Sequence, residues 1–451
     1  MSSSVVYARR LGLFSGTMVV IGGIIGAGIF RNPAEVARRV LSSELILLVW
    51  VMGGVIALLG AFCYGELGAR MPRAGGGYVY LRDAFGELPA FLYAWTLLLV
   101  IATGAIAGVA VTFANYAVAL SGVSERLTLP FAVGAILILT AINYVGVRPG
   151  AITQNIFTVL KLIPLVILIG AGVFYSPAAA APAVAPAAEA GGVFHLIGIV
   201  GWALVPILFS YGGWQQANYI GEEIIDAPRN LPRAILLGVV GVVAVYVLAN
   251  IAYLHALGPV GLAASTAPAA DAMTRVLGPA GGTLIAAGIA VSTFGFLNLV
   301  ILVTPRVYQT MASDGLFFPA IARLHPRFRT PGGALLFQAG WAIILTLTGS
   351  YGDLVDYVTF GDWIFFGLTA ATLYVYRRRD RQAGIDPAPA GVFRALGYPA
   401  TPVIFIAAAA YVVVSSVVSN PVNTLKGAVL ILLGVPVFGF WKSRRRRSPG
   451  G

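Results

Sequence analysis

Charge is what this chain has least of. Acidic and basic side chains together make up 10% of its 451 residues, against about 25% in a soluble domain, too little to cover a water-facing surface of that size. A single cysteine, Cys63, excludes an intramolecular disulfide framework. Histidine is as scarce. His195, His255 and His325 fall in loops or near span ends on different sides, so they cannot share one metal ion. No nucleophile elbow or His-rich motif supplies catalytic chemistry instead. An enzyme, a metal centre and a cofactor are therefore not expected.

Apolar residues fill the space that charge leaves. The hydrophobic fraction is 59% and the mean hydropathy is +0.88. A bilayer core needs roughly 20 apolar residues per helix. Such runs are expected at about 11–31, 44–69, 88–120, 127–146, 152–175, 196–225, 232–256, 281–310, 333–349, 354–376, 399–419 and 424–441. They make twelve spans and an all-α integral membrane protein. No feature signals the ring-lined pore of a channel.

Basic residues set the orientation. With a cytoplasmic N-terminus, the outer face holds Arg31, Arg38, Arg39, Arg126, Arg275 and Lys426, and Lys161 lies inside a span. The rest of the 29 Lys and Arg residues fall on the inner face. The positive-inside rule then puts both termini in the cytoplasm of a multi-pass cell-membrane protein. The same bias accounts for the net charge of +12, so nucleic acid is not implied as a partner. The Arg444–Arg447 tail reads as an anchor near anionic lipid. The first apolar run is long and lacks a small-residue cleavage site, so no cleavable signal peptide is expected. The Ala/Pro-rich stretch from Pro177 to Gly192 reads as an external loop between two halves.

Two of the runs are interrupted at their middles by small, helix-weakening residues. One is Gly22-Gly23-Ile24-Ile25-Gly26-Ala27-Gly28-Ile29-Phe30; the other is Phe209-Ser210-Tyr211-Gly212-Gly213-Trp214. Spans one to five cover about 11–175 and spans six to ten about 196–376, and each set opens with an interrupted run. Five is odd, so the second set crosses in the opposite sense, as in an inverted-topology repeat. Two further helices, 399–441, lie outside it, and 1–451 forms a single membrane domain. Gly-broken spans in matching positions of two repeats point to a substrate site near the mid-plane. Close helix packing competes as a reading, because Gly22–Gly26 and Gly104–Gly108 both have GxxxG spacing. Packing suits the second pair better, whereas the paired breaks favour a site for the first. A dinucleotide-binding reading of these glycines needs a preceding strand and a following soluble helix, and neither is present.

Ordered motifs carry a resemblance. Gly26-Ala27-Gly28-Ile29-Phe30 resembles the first-span signature of the amino acid–polyamine–organocation (APC) transporters, and Pro72-Arg73-Ala74-Gly75-Gly76-Gly77-Tyr78-Val79-Tyr80 looks like their second-to-third span loop. Phe209 to Trp214, running on to Glu222-Glu223 and Pro228-Arg229-Asn230-Leu231-Pro232, is similar to the sixth span of the L-type amino acid transporter branch. Pro305-Arg306-Val307-Tyr308 with Met311-Ala312-Ser313-Asp314-Gly315 continues the pattern, so that the matches extend over about 11–376. The resemblance implies a LeuT-type 5+5 inverted repeat with broken first and sixth helices, moving L-amino acids by alternating access.

An amino acid zwitterion that sheds water at mid-membrane needs replacement partners. Half-helix N-termini offer N–H groups and a positive dipole end to its carboxylate, while unwound carbonyls suit its ammonium. Glycine lets a ligand approach such backbone closely. The resemblance implies a substrate-binding set of Ile24, Ile25, Gly26, Ala27, Gly28, Phe209, Ser210, Gly212 and Trp214. The carboxylate would meet Gly26, Ala27 and Gly28, and the ammonium the carbonyls of Ile24, Phe209 and Ser210. Phe209 would form a flat lid and Trp214 a border. Ala27 departs from the serine often found there in the family, which leaves more of the carboxylate contact to backbone groups.

Lys161 lies well inside span five, where a charge is costly unless it finds partners. Snorkelling to the surface is the bland alternative. The family parallel puts a lysine where sodium-coupled relatives hold sodium, so Lys161 is expected to bridge carbonyls near Gly26 to span eight, as an ion-site substitute or gating residue. Asn298 and Thr293 are candidates to line its pocket. Glu66 and Arg70 form an i,i+4 pair. Glu66, Glu222, Glu223 and Arg229 are inner-gate candidates, with Glu222, Glu223 and Asp226 facing Arg229 and Arg233. Tyr357, Phe360 and Trp363 are candidates for the side-chain pocket, with aromatic packing as the competing reading.

The expected substrate is a neutral L-amino acid, moved by a sodium-independent exchanger or facilitator. A proton-coupled or cationic amino acid or polyamine carrier is the alternative; it would want an acidic pocket residue, and none stands out at mid-membrane. A receptor-like sensor on the same fold would bind without flux. The lipid bilayer is the other expected partner, and the sequence names no partner subunit.

Overall fold

The computed structural model describes residues 6–175, 193–349, 351–385 and 392–447, the side chains of 193–197, 351–360 and 447 excepted. The expected 177–192 loop and the side chains of His195, Tyr357 and Phe360 lie outside that description. Among the described residues the secondary structure is helical, apart from one isolated parallel bridge between Leu11 and Ile224. Among the described residues, eight helical segments are long and apolar enough to cross a membrane, or nine if one bent pair counts as a single span.

That bent pair opens the chain. Helix α1 (Leu13–Ile24) and helix α2 (Gly28–Val40) meet at 42° across Ile25, Gly26 and Ala27. No side chain caps the start of α2, and its first turn leaves amides without helical partners. Helix α3 (Ser43–Arg70) starts at an N-cap, Ser42, whose hydroxyl accepts the amide of Leu45. A Gly75–Gly76 turn leads into α4 (Gly77–Phe85), then α5 (Glu87–Thr96), a π-helical stretch at Leu97–Ile101, and α6 (Ala102–Ser121). Helices α7 (Thr128–Tyr144) and α8 (Val147–Val173) complete the first half.

The second half also opens with a break. Helix α9 (Val193–Ser210) ends at a turn through Tyr211, Gly212 and Gly213, and a 3₁₀ helix at Trp214–Glu223 follows. The run 196–225 expected as one span is therefore two pieces. Helix α10 (Ala227–Ala264) bends at Gly258, where Pro259 follows and φ is +68°. Then come α11 (Pro268–Leu277), α12 (Pro279–Val303), α13 (Pro305–Ser313), α14 (Pro319–Ala322), α15 (Gly332–Thr348) and α16 (Tyr351–Gln382). The C-terminal part contains α17 (Ala400–Ser419), α18 (Pro421–Leu432) and α19 (Gly434–Arg447). The last expected span, 424–441, falls within one apolar segment, Pro421–Arg446, in which α18 runs on into α19 through the helically disposed Leu433.

Helix α10 packs along α1 and α3, and α12 along α6 and α8, while α16 lies against α17. Both helices of the first break pack against α10, and α9 packs against α2 and α3. A buried polar chain ties helices sideways: Asn143 donates to Asn298 at 3.0 Å, Asn298 to Gln154 at 3.0 Å, Gln154 to Thr158 at 3.0 Å, and Thr158 to the Met18 carbonyl at 3.1 Å. Each residue of this polar chain makes at least one hydrogen bond, although Asn143 Oδ1 accepts none among the described residues.

Candidate functional site

The two breaks touch. Gly213 has φ +109°, and a Cβ there would stand 2.2 Å from the Gly23 carbonyl oxygen. Only glycine meets both demands without strain. A Cβ on Gly28 would press on Ser210 Oγ at 2.9 Å. Asn32, one turn further along α2, donates to Ser210 Oγ at 2.7 Å and to the Pro206 carbonyl at 3.0 Å. Two half-helices are thus pinned together at their interruptions.

Beside this junction lies a cavity of about 680 Å³, within the usual range for small-molecule sites. Ile24, Gly26, Ala27 and Gly28 line it from the first break, and Phe209, Ser210 and Gly212 from the second. The Phe209 side chain is 48% exposed within it. The α2 N-terminus therefore opens into the cavity, and a helix N-terminus favours an anion.

Two residues of the expected set lie elsewhere. Ile25 is fully buried and off the cavity wall, with its carbonyl accepting from Lys161. Trp214 is off the wall as well: its ring packs edge-on against Tyr64 at 4.9 Å and against Phe405 at 5.8 Å. The left-handed turn at Gly213 directs the chain so that Gln215, not Trp214, reaches the cavity. Of the carbonyls expected for an ammonium, Ile24 already accepts from Tyr246 at 2.9 Å and Phe209 from the Gly212 amide at 3.2 Å. Each keeps a second lone pair.

Lys161 is completely buried. Its Nζ donates to the Gly22 carbonyl at 3.1 Å and the Ile25 carbonyl at 2.7 Å. Its stem passes Gly295 of α12, where an added Cβ would stand 3.4 Å from Lys161 Cε. Snorkelling is excluded by this burial. Asn298 and Thr293 are not its partners. Asn298 belongs to the chain with Asn143 and Gln154, and Thr293 bonds back to Ile289 and Ala290 of its own helix while facing the cavity.

The acidic residues regroup as well. Glu223 pairs with Arg306, both fully buried, at 3.0 and 3.1 Å, not with Arg229. Arg229 is exposed and lies 3.8 Å from Asp226, and Glu222 accepts the Ala74 amide at 3.3 Å. The amides of Arg10 and Leu11 donate to the Glu223 carbonyl at 2.9 and 3.0 Å, so the N-terminal segment covers this end. Glu66 accepts from Arg70 at 3.0 Å, from Arg377 at 2.5 and 3.0 Å and from the Ala395 amide at 2.8 Å. It ties α3 to α16 rather than facing the cavity.

The sequence reading passed over several wall residues: Asn32, Gly108, Thr112, Tyr219, Phe296 and Asp362. Asn32 sits four positions after Gly28, the spacing of one helix face, and was legible on that ground. Gly108, assigned to packing, faces the cavity. Asp362 is the acidic residue that stood out to no reading, and it adjoins Trp363, which also lines the wall. Among the described residues no group of His, Cys, Asp and Glu could hold a metal.

Comparison with known proteins agrees with the architecture. The amino acid permease family model matches residues 11–440. The chain is 32% identical to the b(0,+)-type amino acid transporter 1 of Mus musculus, over 96% of this chain and 87% of that protein. It is 33% identical to the Asc-type amino acid transporter 1 of Homo sapiens, over 98% and 84%. It is 34% identical to the large neutral amino acids transporter small subunit 2 of Rattus norvegicus, over 95% and 80%. The chain is a multi-pass membrane protein belonging to the amino acid permease family of the APC superfamily.

Proposed function

We propose that this protein is a secondary carrier of L-amino acids, neutral ones among them, working by alternating access in the cell membrane with both termini in the cytoplasm. In this reading twelve spans form a 5+5 inverted repeat, residues 11–175 and 196–376, with helices 399–441 appended. The substrate carboxylate meets the amides of Gly26, Ala27 and Gly28. Its ammonium meets carbonyls near Ile24, Phe209 and Ser210, and Phe209 covers the bound molecule. Lys161 holds the first break in shape without sodium.

One observation carries the reading: both broken helices open onto one cavity. Arg31, Glu35 and Arg39 line its more exposed part, and in this reading the buried Glu223–Arg306 pair, covered by the N-terminal segment, seals the opposite end. A cavity open to one side only, as this reading has it, is one half of an alternating-access cycle. The apolar walls formed by Leu97, Ile101, Phe296 and Phe366 suit uncharged side chains.

The test is uptake of labelled L-amino acids into proteoliposomes, either empty or preloaded with unlabelled amino acid. Accelerated uptake after preloading is expected and identifies an exchanger. Equal uptake in both would replace exchange with uniport or ion coupling. Binding without flux would make the protein a sensor and overturn the carrier reading.

A further inference from the structure

Asp362 lines the cavity from α16 and brings to it a charge that the binding of an α-amino and α-carboxyl group does not use. Among the described residues, no hydrogen bond or ion pair reaches its carboxylate. The other acidic side chain on the wall, Glu35, is held at the exposed end by Arg38 at 2.5 Å. The wall's cations, Arg31 and Arg39, stand at that same end, and Arg39 donates to the Trp202 carbonyl at 2.6 Å.

Asp362 shares the cavity wall with a phenol, Tyr219. The hydroxyls of Tyr219 and Tyr93 are engaged with each other at 2.5 Å. The neighbouring wall residues Trp363 and Phe366 offer no cation. A carboxylate removed from bulk water is retained at large cost unless a cation or hydrogen-bond donors meet it. Here the space open to it is the cavity itself. A ligand held at the helix breaks by its α-amino and α-carboxyl groups has only the remaining volume for its side chain.

We infer that Asp362 is a specificity residue of this cavity, accepting hydrogen bonds from the terminal ammonium or guanidinium of an L-amino acid side chain. Lysine, ornithine and arginine are then favoured over apolar side chains of equal length, beside the neutral substrates that the other walls suit. This rests on the reading of the cavity as an amino acid site.

Lysine and norleucine make the test, because norleucine matches lysine's side-chain carbons and lacks its ammonium. The full chain in proteoliposomes is assayed for exchange of each labelled compound. In the wild type, unlabelled lysine is expected to compete better than norleucine for lysine uptake. Asp362→Asn is expected to lower kcat/KM for lysine relative to norleucine roughly tenfold to a hundredfold, while Asp362→Glu keeps the preference. Equal competition in the wild type overturns the inference without any variant. So does an equal loss of both activities in Asp362→Asn, or no loss of either. A wild type that exchanges norleucine and not lysine overturns the inference and leaves the carrier reading standing. A wild type that moves no amino acid overturns both.

Discussion

The ammonium of Lys161 lies 2.7 Å from the carbonyl oxygen of Ile25, the residue at which α1 stops being a helix. With the Gly22 carbonyl at 3.1 Å, it caps the C-terminal end of a half-helix, which is where a cation is favoured. Hydrogen bonds to a charged group are worth about 1.5–3 kcal/mol each. Lys161→Met keeps much of the stem and removes the charge. Exchange by that variant is expected to fall by about tenfold or more, while gel filtration in detergent still gives a monodisperse protein. For the wild type, replacing sodium by choline should leave the initial rate unchanged. A strong sodium requirement would show that another cation does what is ascribed here to Lys161.

Gly213 offers a steric prediction. Gly213→Ala would place a methyl group 2.2 Å from a backbone carbonyl at a φ of +109°, a conformation costing an L-residue about 1–3 kcal/mol before any clash. Loss of exchange and a lowered thermal midpoint are expected together. Gly340→Ala is the control: nothing lies within 4 Å of its Cβ position in α15, so the variant should transport normally. Equal behaviour of the two variants would mean that the breaks do not need their close approach.

The sequence made some of this legible and hid the rest for physical reasons. The break at Ile25 to Ala27 shows in the sequence because glycines weaken a helix locally, and Lys161 shows because a charge in an apolar run is conspicuous by itself. Partnerships across the fold leave no such local mark. Arg229 lies close to Glu223 in sequence and looked like its partner, yet Arg306, 83 positions away, holds the carboxylate. Trp214 was assigned to the cavity border because it follows the break, but the positive φ at Gly213 turns it into the helix packing. Asn298 was grouped with Lys161 by span, whereas its helical phase aims it at Asn143 and Gln154. Asp362 escaped notice because the aromatic residues around it drew the reading toward packing.

The Glu223–Arg306 pair allows a double-mutant cycle. Both side chains are fully buried, and removing one partner of such a pair costs about 3–5 kcal/mol because the other is left uncompensated. Glu223→Gln and Arg306→Met are each expected to lower the thermal midpoint substantially, and the double variant by less than the sum. Strict additivity would show that the pair is not coupled and would remove it from the seal at the closed end.

Phe209 and Trp214 separate binding from packing. They flank the same turn, but Phe209 is 48% exposed in the cavity whereas Trp214 is 2% exposed and enclosed by Tyr64, Phe366 and Phe405. Phe209→Ala removes a face that a substrate would contact, so KM for a neutral L-amino acid is expected to rise about tenfold, the equivalent of roughly 1.4 kcal/mol, with the thermal midpoint little changed. Trp214→Ala empties a packed site, for which about 3–5 kcal/mol of destabilisation is usual. Its midpoint should fall while any protein that remains folded keeps its KM. The opposite pattern, with Trp214 governing KM and Phe209 governing stability, would mean that the substrate occupies the other side of the broken helix.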